Sequence, residues 1–104
     1  MVDDAVIEEA GRRLARAAGD SAQVVLFGSH ARGEAGVRSD LDFLVVEAEV
    51  SNVAEESVRL RRALRGMRLA ADVIVVSRDY AEEWEGVRGS LVHAALSEGR
   101  VLAA

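Results

Sequence analysis

QVVLFGSHARGEAGVRSDLDFLVVE, residues 23–47, decides the fold. Gln23–Phe27 is a short run of β-branched and apolar residues that stops at Gly28, the pattern of a buried strand. Residues 28–40 are rich in glycine, serine and charge and have no apolar period, which predicts a loop. Leu41–Glu47 is a second strand, apolar on both faces after Asp42, as in a strand covered on both sides.

Working outward, residues 3–18 read as a helix: Val6, Ile7, Ala10, Leu14 and Ala17 recur at helical spacing, and Gly19 supplies a stop. Acidic residues come early and Arg12, Arg13 and Arg16 late, which complements a helix dipole. A second helix is expected over 52–68, with Asn52 as N-cap and Val53, Leu60, Leu64 and Met67 as its buried stripe. Residues 71–76, ADVIVV, predict a third strand. Asp79 with Glu82 has capping-box spacing and predicts a third helix; Ser90–Glu98 predicts a fourth, ended by Gly99. Val101 and Leu102 suggest a short edge strand. The fold class is therefore α/β (α+β): helices packed on a small mixed sheet.

The chain has 104 residues, which we read as one domain, 1–104, with one modest core. Half of its residues are apolar and the net charge is −5. All 13 basic residues are arginine, and cysteine, lysine, proline and threonine are absent. Without lysine, Schiff-base chemistry and the P-loop are excluded. Without cysteine, so are disulfides, thiol nucleophiles and thiolate zinc sites. The acidic balance argues against extended nucleic-acid binding. No apolar run reaches the roughly 18 residues of a membrane span, and the acidic start is unlike a signal peptide. These features lead us to expect a cytoplasmic protein.

Asp40 and Asp42 flank the start of the second strand. Residues two apart on a strand share a face, with side-chain origins roughly 6.5–7 Å apart. Like charges so placed are costly unless a cation neutralises them, and Mg²⁺ held by one or two carboxylates plus substrate phosphates meets that demand. Taken alone, the pair is equally readable as a turn cap beside Ser39 and a solvated strand edge. Asp72, heading the third strand, would bring three carboxylates to one end of the sheet if the second and third strands are neighbours. Gly28 and Ser29 lie where the first strand enters its loop, and glycine there allows backbone N–H groups to approach a phosphate. Arg32 offers a planar fork suited to phosphate. Phosphate donors beside a carboxylate cluster are what phosphoryl or nucleotidyl transfer requires.

Gly28-Ser29-His30-Ala31-Arg32-Gly33 followed by Ser39-Asp40-Leu41-Asp42-Phe43 resembles the signature of the polymerase-β-type nucleotidyltransferases, most closely the minimal nucleotidyltransferase group. The resemblance implies that Asp40, Asp42 and Asp72 hold two catalytic Mg²⁺ ions, with Asp72 also helping to deprotonate the attacking hydroxyl. It implies nucleotide contacts from Gly28 and Ser29, with Arg32 and Ser39 as weaker candidates. AMP would pass from ATP to a hydroxyl. Because 104 residues leave no room for an acceptor-binding domain, the resemblance implies a separately encoded helical partner, a HEPN-type toxin, with this chain as its antitoxin. A module that neutralises its partner by contact, and transfer to a small molecule such as an antibiotic, are the alternatives. Oligomeric state stays open, a homo-oligomer included.

His30 lacks the spacing of a serine triad, and His93 reads as structural or partner-facing. Arg59, Arg61, Arg62, Arg65 and Arg68 read as the solvated face of their helix, with a surface for an acidic partner or RNA as the alternative. Tyr80 and Trp84, among Glu82, Glu83 and Glu85, read as local packing, with an interaction patch as the alternative.

Overall fold

The structure is a computed structural model, and it describes residues 3–28 and 40–104. Its elements run α1 (Asp4–Ala18), β1 (Gln23–Phe27), β2 (Leu41–Glu47), α2 (Val53–Arg62), β3 (Ala71–Ser77), α3 (Arg78–Trp84), α4 (Leu91–Glu98) and β4 (Arg100–Ala103). The strands form one mixed sheet in the order β3-β2-β1-β4. β1 is antiparallel to both β2 and β4, whereas β2 and β3 are parallel, joined through α2. Among the described residues no helix is long and apolar enough to cross a membrane.

Strand alternation sorts the core into two layers. Val24 and Leu26 of β1, Leu41, Phe43 and Val45 of β2, and Val73 and Val75 of β3 pack against Ile7, Ala10 and Leu14 of α1 and Leu60 of α2. Val25, Leu44, Val46 and Val76 point the other way, against Ala81 of α3 and Val92 and Ala95 of α4. β2 is therefore covered on both sides, as its unbroken apolar run requires.

Caps set most helix boundaries. The Ala5 N–H donates to Asp3 Oδ1 at 3.0 Å, and the Glu55 N–H to Asn52 Oδ1 at 3.0 Å. Asn52 is thus the cap its sequence position suggested. Ser77, not Asp79, caps α3: β3 runs one residue further than expected, and the extended Ser77 hydroxyl accepts from the Tyr80 N–H at 3.2 Å. α2 ends at Arg62 rather than 68. Beyond it, Leu64, Arg65 and Met67 bond back three residues, and Gly66 and Arg68 adopt φ of 88° and 56°, unwinding the chain toward β3. Leu60 and Leu64 are buried as expected, but Val53, at the first turn of α2, is 51% exposed. Gly99 is held by close packing: a Cβ there would run into the Ala95 and Leu26 carbonyl oxygens and the Val25 side chain.

One polar cluster lies inside the first layer. Glu47 ends β2 on the Phe43–Val45 side and is only 6% exposed, beneath α2. Arg59 Nη2 sits 2.6 Å from Glu56 Oε2 and 3.9 Å from Glu47 Oε2, and also donates to the Ala17 carbonyl at 2.9 Å. Arg59 is thus a tie between α1, α2 and β2, not part of a purely solvated face. Burial, and then the neighbouring Glu56, push the Glu47 carboxyl up to about 7, while Arg59 pulls Glu56 down to about 2.

In the unfolded chain both glutamates titrate near 4.5, so the folded state binds the extra proton between about 4.5 and 7 and stability falls as pH rises through that window. Below about 4.5 the sign reverses, because protonating Glu56 forfeits its pairing with Arg59. Glu47→Gln should therefore stabilise the protein at pH 8 by about 1–3 kcal/mol, with the gain closing by pH 5. Urea denaturation of both proteins at the two pH values measures this, and an equal effect at both would contradict it.

Candidate functional site

The carboxyl end of β1 and the amino ends of β2 and β3 meet at one edge of the sheet. Leu41 anchors the start of β2 there, its N–H donating to the Ala70 carbonyl at 2.9 Å. From that anchor the parallel register runs Leu41 opposite Ala71 and Asp42 opposite Asp72. Paired residues on adjacent parallel strands face the same side and lie about 4.8 Å apart in the hydrogen-bonding direction. The side is fixed by alternation: Asp42 shares a face with Leu44 and Val46, and Asp72 with Ile74 and Val76. Both aspartates thus belong to the α3–α4 layer, at its open end. Asp42 is half-buried, Asp72 exposed, and Asp40, immediately before β2, exposed.

Gly28 closes the third side. Phe27 pairs with Asp42, so the next residue of β1 passes directly beside that carboxylate. A Cβ on Gly28 would stand 2.5 Å from Asp42 Oδ2, and φ is 78°. Two independent constraints therefore demand glycine: close approach of the backbone to the carboxylate and a left-handed turn. Ser29, Arg32 and Ser39, the other expected nucleotide contacts, lie outside the described residues, as does His30.

Among the described residues no three histidine, cysteine, aspartate or glutamate side chains gather closely enough to hold a metal ion. Asp40, Asp42 and Asp72 share one end of the sheet but form no closed protein cage. That openness suits Mg²⁺, which takes one or two carboxylates and completes its shell with water and substrate phosphates. Two carboxylates in register on one face beside a bare glycine backbone provide such a donor set, with Asp40 next in line.

A feature of the same face was not evident as a site in the sequence. Ile74, two residues beyond Asp72, floors a groove of about 250 Å³ walled by Tyr80, Trp84 and Leu91. The Tyr80 and Trp84 rings stack at a centroid distance of 5.8 Å, so the expected local packing is present. The period-two row Asp72–Ile74–Val76 was the available signal for the groove. What it lacked was knowledge that α3 folds back over that row. His93, half-buried on α4, has Nδ1 2.7 Å from the Glu85 carbonyl, a contact that ties α4 to the end of α3.

Comparison with known proteins follows the geometry. A family model for the nucleotidyltransferase domain matches residues 7–98, nearly the whole chain, and the chain belongs to that family. No curated protein matches. Among solved structures, a candidate nucleotidyltransferase from Sulfolobus solfataricus is 22% identical, with a TM-score of 0.62 over 93% of this chain and 76% of that one. A toxin–antitoxin structure with AMP-PNP is 24% identical, with a TM-score of 0.55 over 91% of this chain and 71% of the other. At these identities both show the shared fold.

Gly28 and Gly19 offer a matched test. Both have positive φ, but a Cβ at Gly19 meets nothing within 4 Å. Each substitution to alanine should cost about 1–2 kcal/mol of stability from backbone strain. Only Gly28→Ala should also displace the Asp42 carboxylate, and with the nucleotide and cation proposed below it should weaken ATP–Mg²⁺ binding by about tenfold or more. Thermal melts and calorimetric titration of the two variants separate the effects.

Proposed function

We propose that this member of the nucleotidyltransferase family transfers AMP from ATP to a hydroxyl on a partner protein, with Mg²⁺ bound at Asp42 and Asp72 and with Asp40 beside them. The observation that carries the reading is the register of Asp42 opposite Asp72, on one face and next to Gly28. Mg²⁺ at that position would neutralise the triphosphate and the charge that develops as the reaction proceeds. The Gly28 backbone would lie against the phosphates, and Ser29, with Arg32 and Ser39, would contact them. The acceptor oxygen forms a bond to the α-phosphorus, the bond from that phosphorus to the bridging oxygen breaks, and pyrophosphate leaves with the electron pair. Asp72, the more exposed carboxylate, takes the hydroxyl proton and passes it to solvent.

The family match supports nucleotidyl transfer in general, and the similar structure that pairs this fold with a toxin and AMP-PNP supports an adenine nucleotide and a protein partner. From the motif resemblance, that partner is a helical HEPN-type toxin encoded next to this chain and neutralised by modification in the cytoplasm. The same toxin–antitoxin likeness also favours a second reading, in which the chain neutralises its partner by contact alone.

Asp42→Asn distinguishes the two. The substitution keeps the side chain's size and shape, so the variant should remain folded, which circular dichroism and a thermal melt check. Transfer of labelled AMP to the neighbouring gene's product should fall about a thousandfold, and chelation of Mg²⁺ should abolish it in the wild type. Neutralisation that persists in Asp42→Asn, with no transfer by the wild type, would establish the contact reading.

A further inference from the structure

The apolar groove over Ile74 is open to solvent, and its floor lies on the same strand face as Asp72, two residues along β3. Leu91 is 43% and Trp84 36% exposed, and Tyr80 is exposed as well. Large apolar side chains gathered round one concavity, rather than scattered singly, mark a binding surface. Two further facts specify what fits it. Asp72 and Ile74 lie on one face of β3 two residues apart, so the groove floor begins about 6.6 Å from the carboxylate that faces the reacting hydroxyl. That is also the span of two residues in an extended peptide. The helix that walls it is acidic: Asp79, Glu82 and Glu83 of α3 and Glu85 just after it are exposed, as is Asp72 on β3. Arg88, between α3 and α4, is exposed as well, and Arg78 donates to the Ser21 carbonyl at 2.6 Å.

We propose that this groove is the acceptor-docking site: it takes an extended segment of the modified protein, with an apolar or aromatic side chain two residues from the hydroxyl that receives the nucleotide and with basic residues flanking it. The anchor side chain rests on Ile74 between Tyr80, Trp84 and Leu91. The flanking basic residues meet the glutamates of α3. Anchor and hydroxyl on one extended strand project to the same side, so seating the first delivers the second to Asp72. The inference rests on the nucleotidyl-transfer reading for its chemistry, but its binding step is independent of catalysis. Selectivity for the acceptor would then reside in α3 and α4, elements that carry none of Asp40, Asp42 and Asp72.

The probe is an array of 12-residue peptides, each with a central serine, threonine or tyrosine, varied at two and four residues on either side among apolar, aromatic, basic and acidic side chains. Binding is measured with the wild-type protein without nucleotide, and transfer separately with labelled ATP and Mg²⁺. Peptides with an apolar or aromatic residue two positions from the hydroxyl and with basic flanks should bind best. Leu91→Asp and Trp84→Ala should each weaken that binding at least tenfold. Val101→Asp, the same kind of change at a 54% exposed valine on β4, should leave it unchanged. Circular dichroism and melting temperature confirm that each variant is folded.

Absence of peptide binding, binding without the apolar preference, or binding indifferent to Leu91→Asp overturns the docking site, whatever the transfer assay gives. Sedimentation showing a dimer that Leu91→Asp dissociates also overturns it, since a second copy would then cover the groove. Groove-dependent binding without any label transfer leaves the docking site standing and removes the nucleotidyl-transfer reading instead.

Discussion

The site depends on one constraint, the parallel register that sets Asp42 of β2 against Asp72 of β3. Two acidic side chains set side by side on neighbouring strands are no source of stability for a sheet. What enforces the arrangement lies deeper in the sheet. Phe43 and Val73, Leu44 and Ile74, and Val45 and Val75 pair in the same register, and their side chains fill two core layers. A slip of one residue would turn every one of these side chains to the wrong face. The apolar core thus holds the carboxylates in place at the sheet's edge, where water and ions reach them.

Much of this was legible because a strand's face is a local property. The limits of β1 and β2 follow from the runs QVVLF and LDFLVVE, and Asn52 declares its cap by type and position. The elements that misled share a cause. Leu64 and Met67 keep a helical period past Arg62, yet the chain must descend to meet Leu41, and Gly66 and Arg68 unwind it first. Asp79 has a good capping box, but β3 continues through Ser77 because Glu47 supplies a partner there. Which strands neighbour one another was not legible at all. Period two assigns faces, while the order β3-β2-β1-β4 comes from how the helices cover both sides. The aspartate pair was therefore conditional on adjacency, and the groove, which needs α3 folded back over β3, was out of reach.

The absence of lysine acquires a definite meaning in this setting. It removes the P-loop solution to holding a triphosphate, in which a side-chain cation does the neutralising. In the function proposed, a site of carboxylates beside a bare glycine backbone would invert that arrangement, the protein supplying negative charge and the solution the cation. Gly28 is consistent with it, since a side chain there would take the space between backbone and Asp42 Oδ2.

β2 carries a carboxylate near each end, and the contrast between them indicates why only one end is open to chemistry. Asp42 and Glu47 are five residues apart, an odd number, so they face opposite sides of the sheet. Glu47 falls beneath α2, where Arg59 and Glu56 surround it and burial pushes it toward the protonated form. Burial favours its neutral form, and the Arg59 guanidinium stands 3.9 Å away. Asp42 faces the α3–α4 layer where that layer ends, beside Asp72 and in line with the groove over Ile74. Sequence position alone would rank the two acids alike. Parity along the strand, together with the side on which each helix packs, puts Glu47 beneath α2 and Asp42 at the open end of the α3–α4 layer.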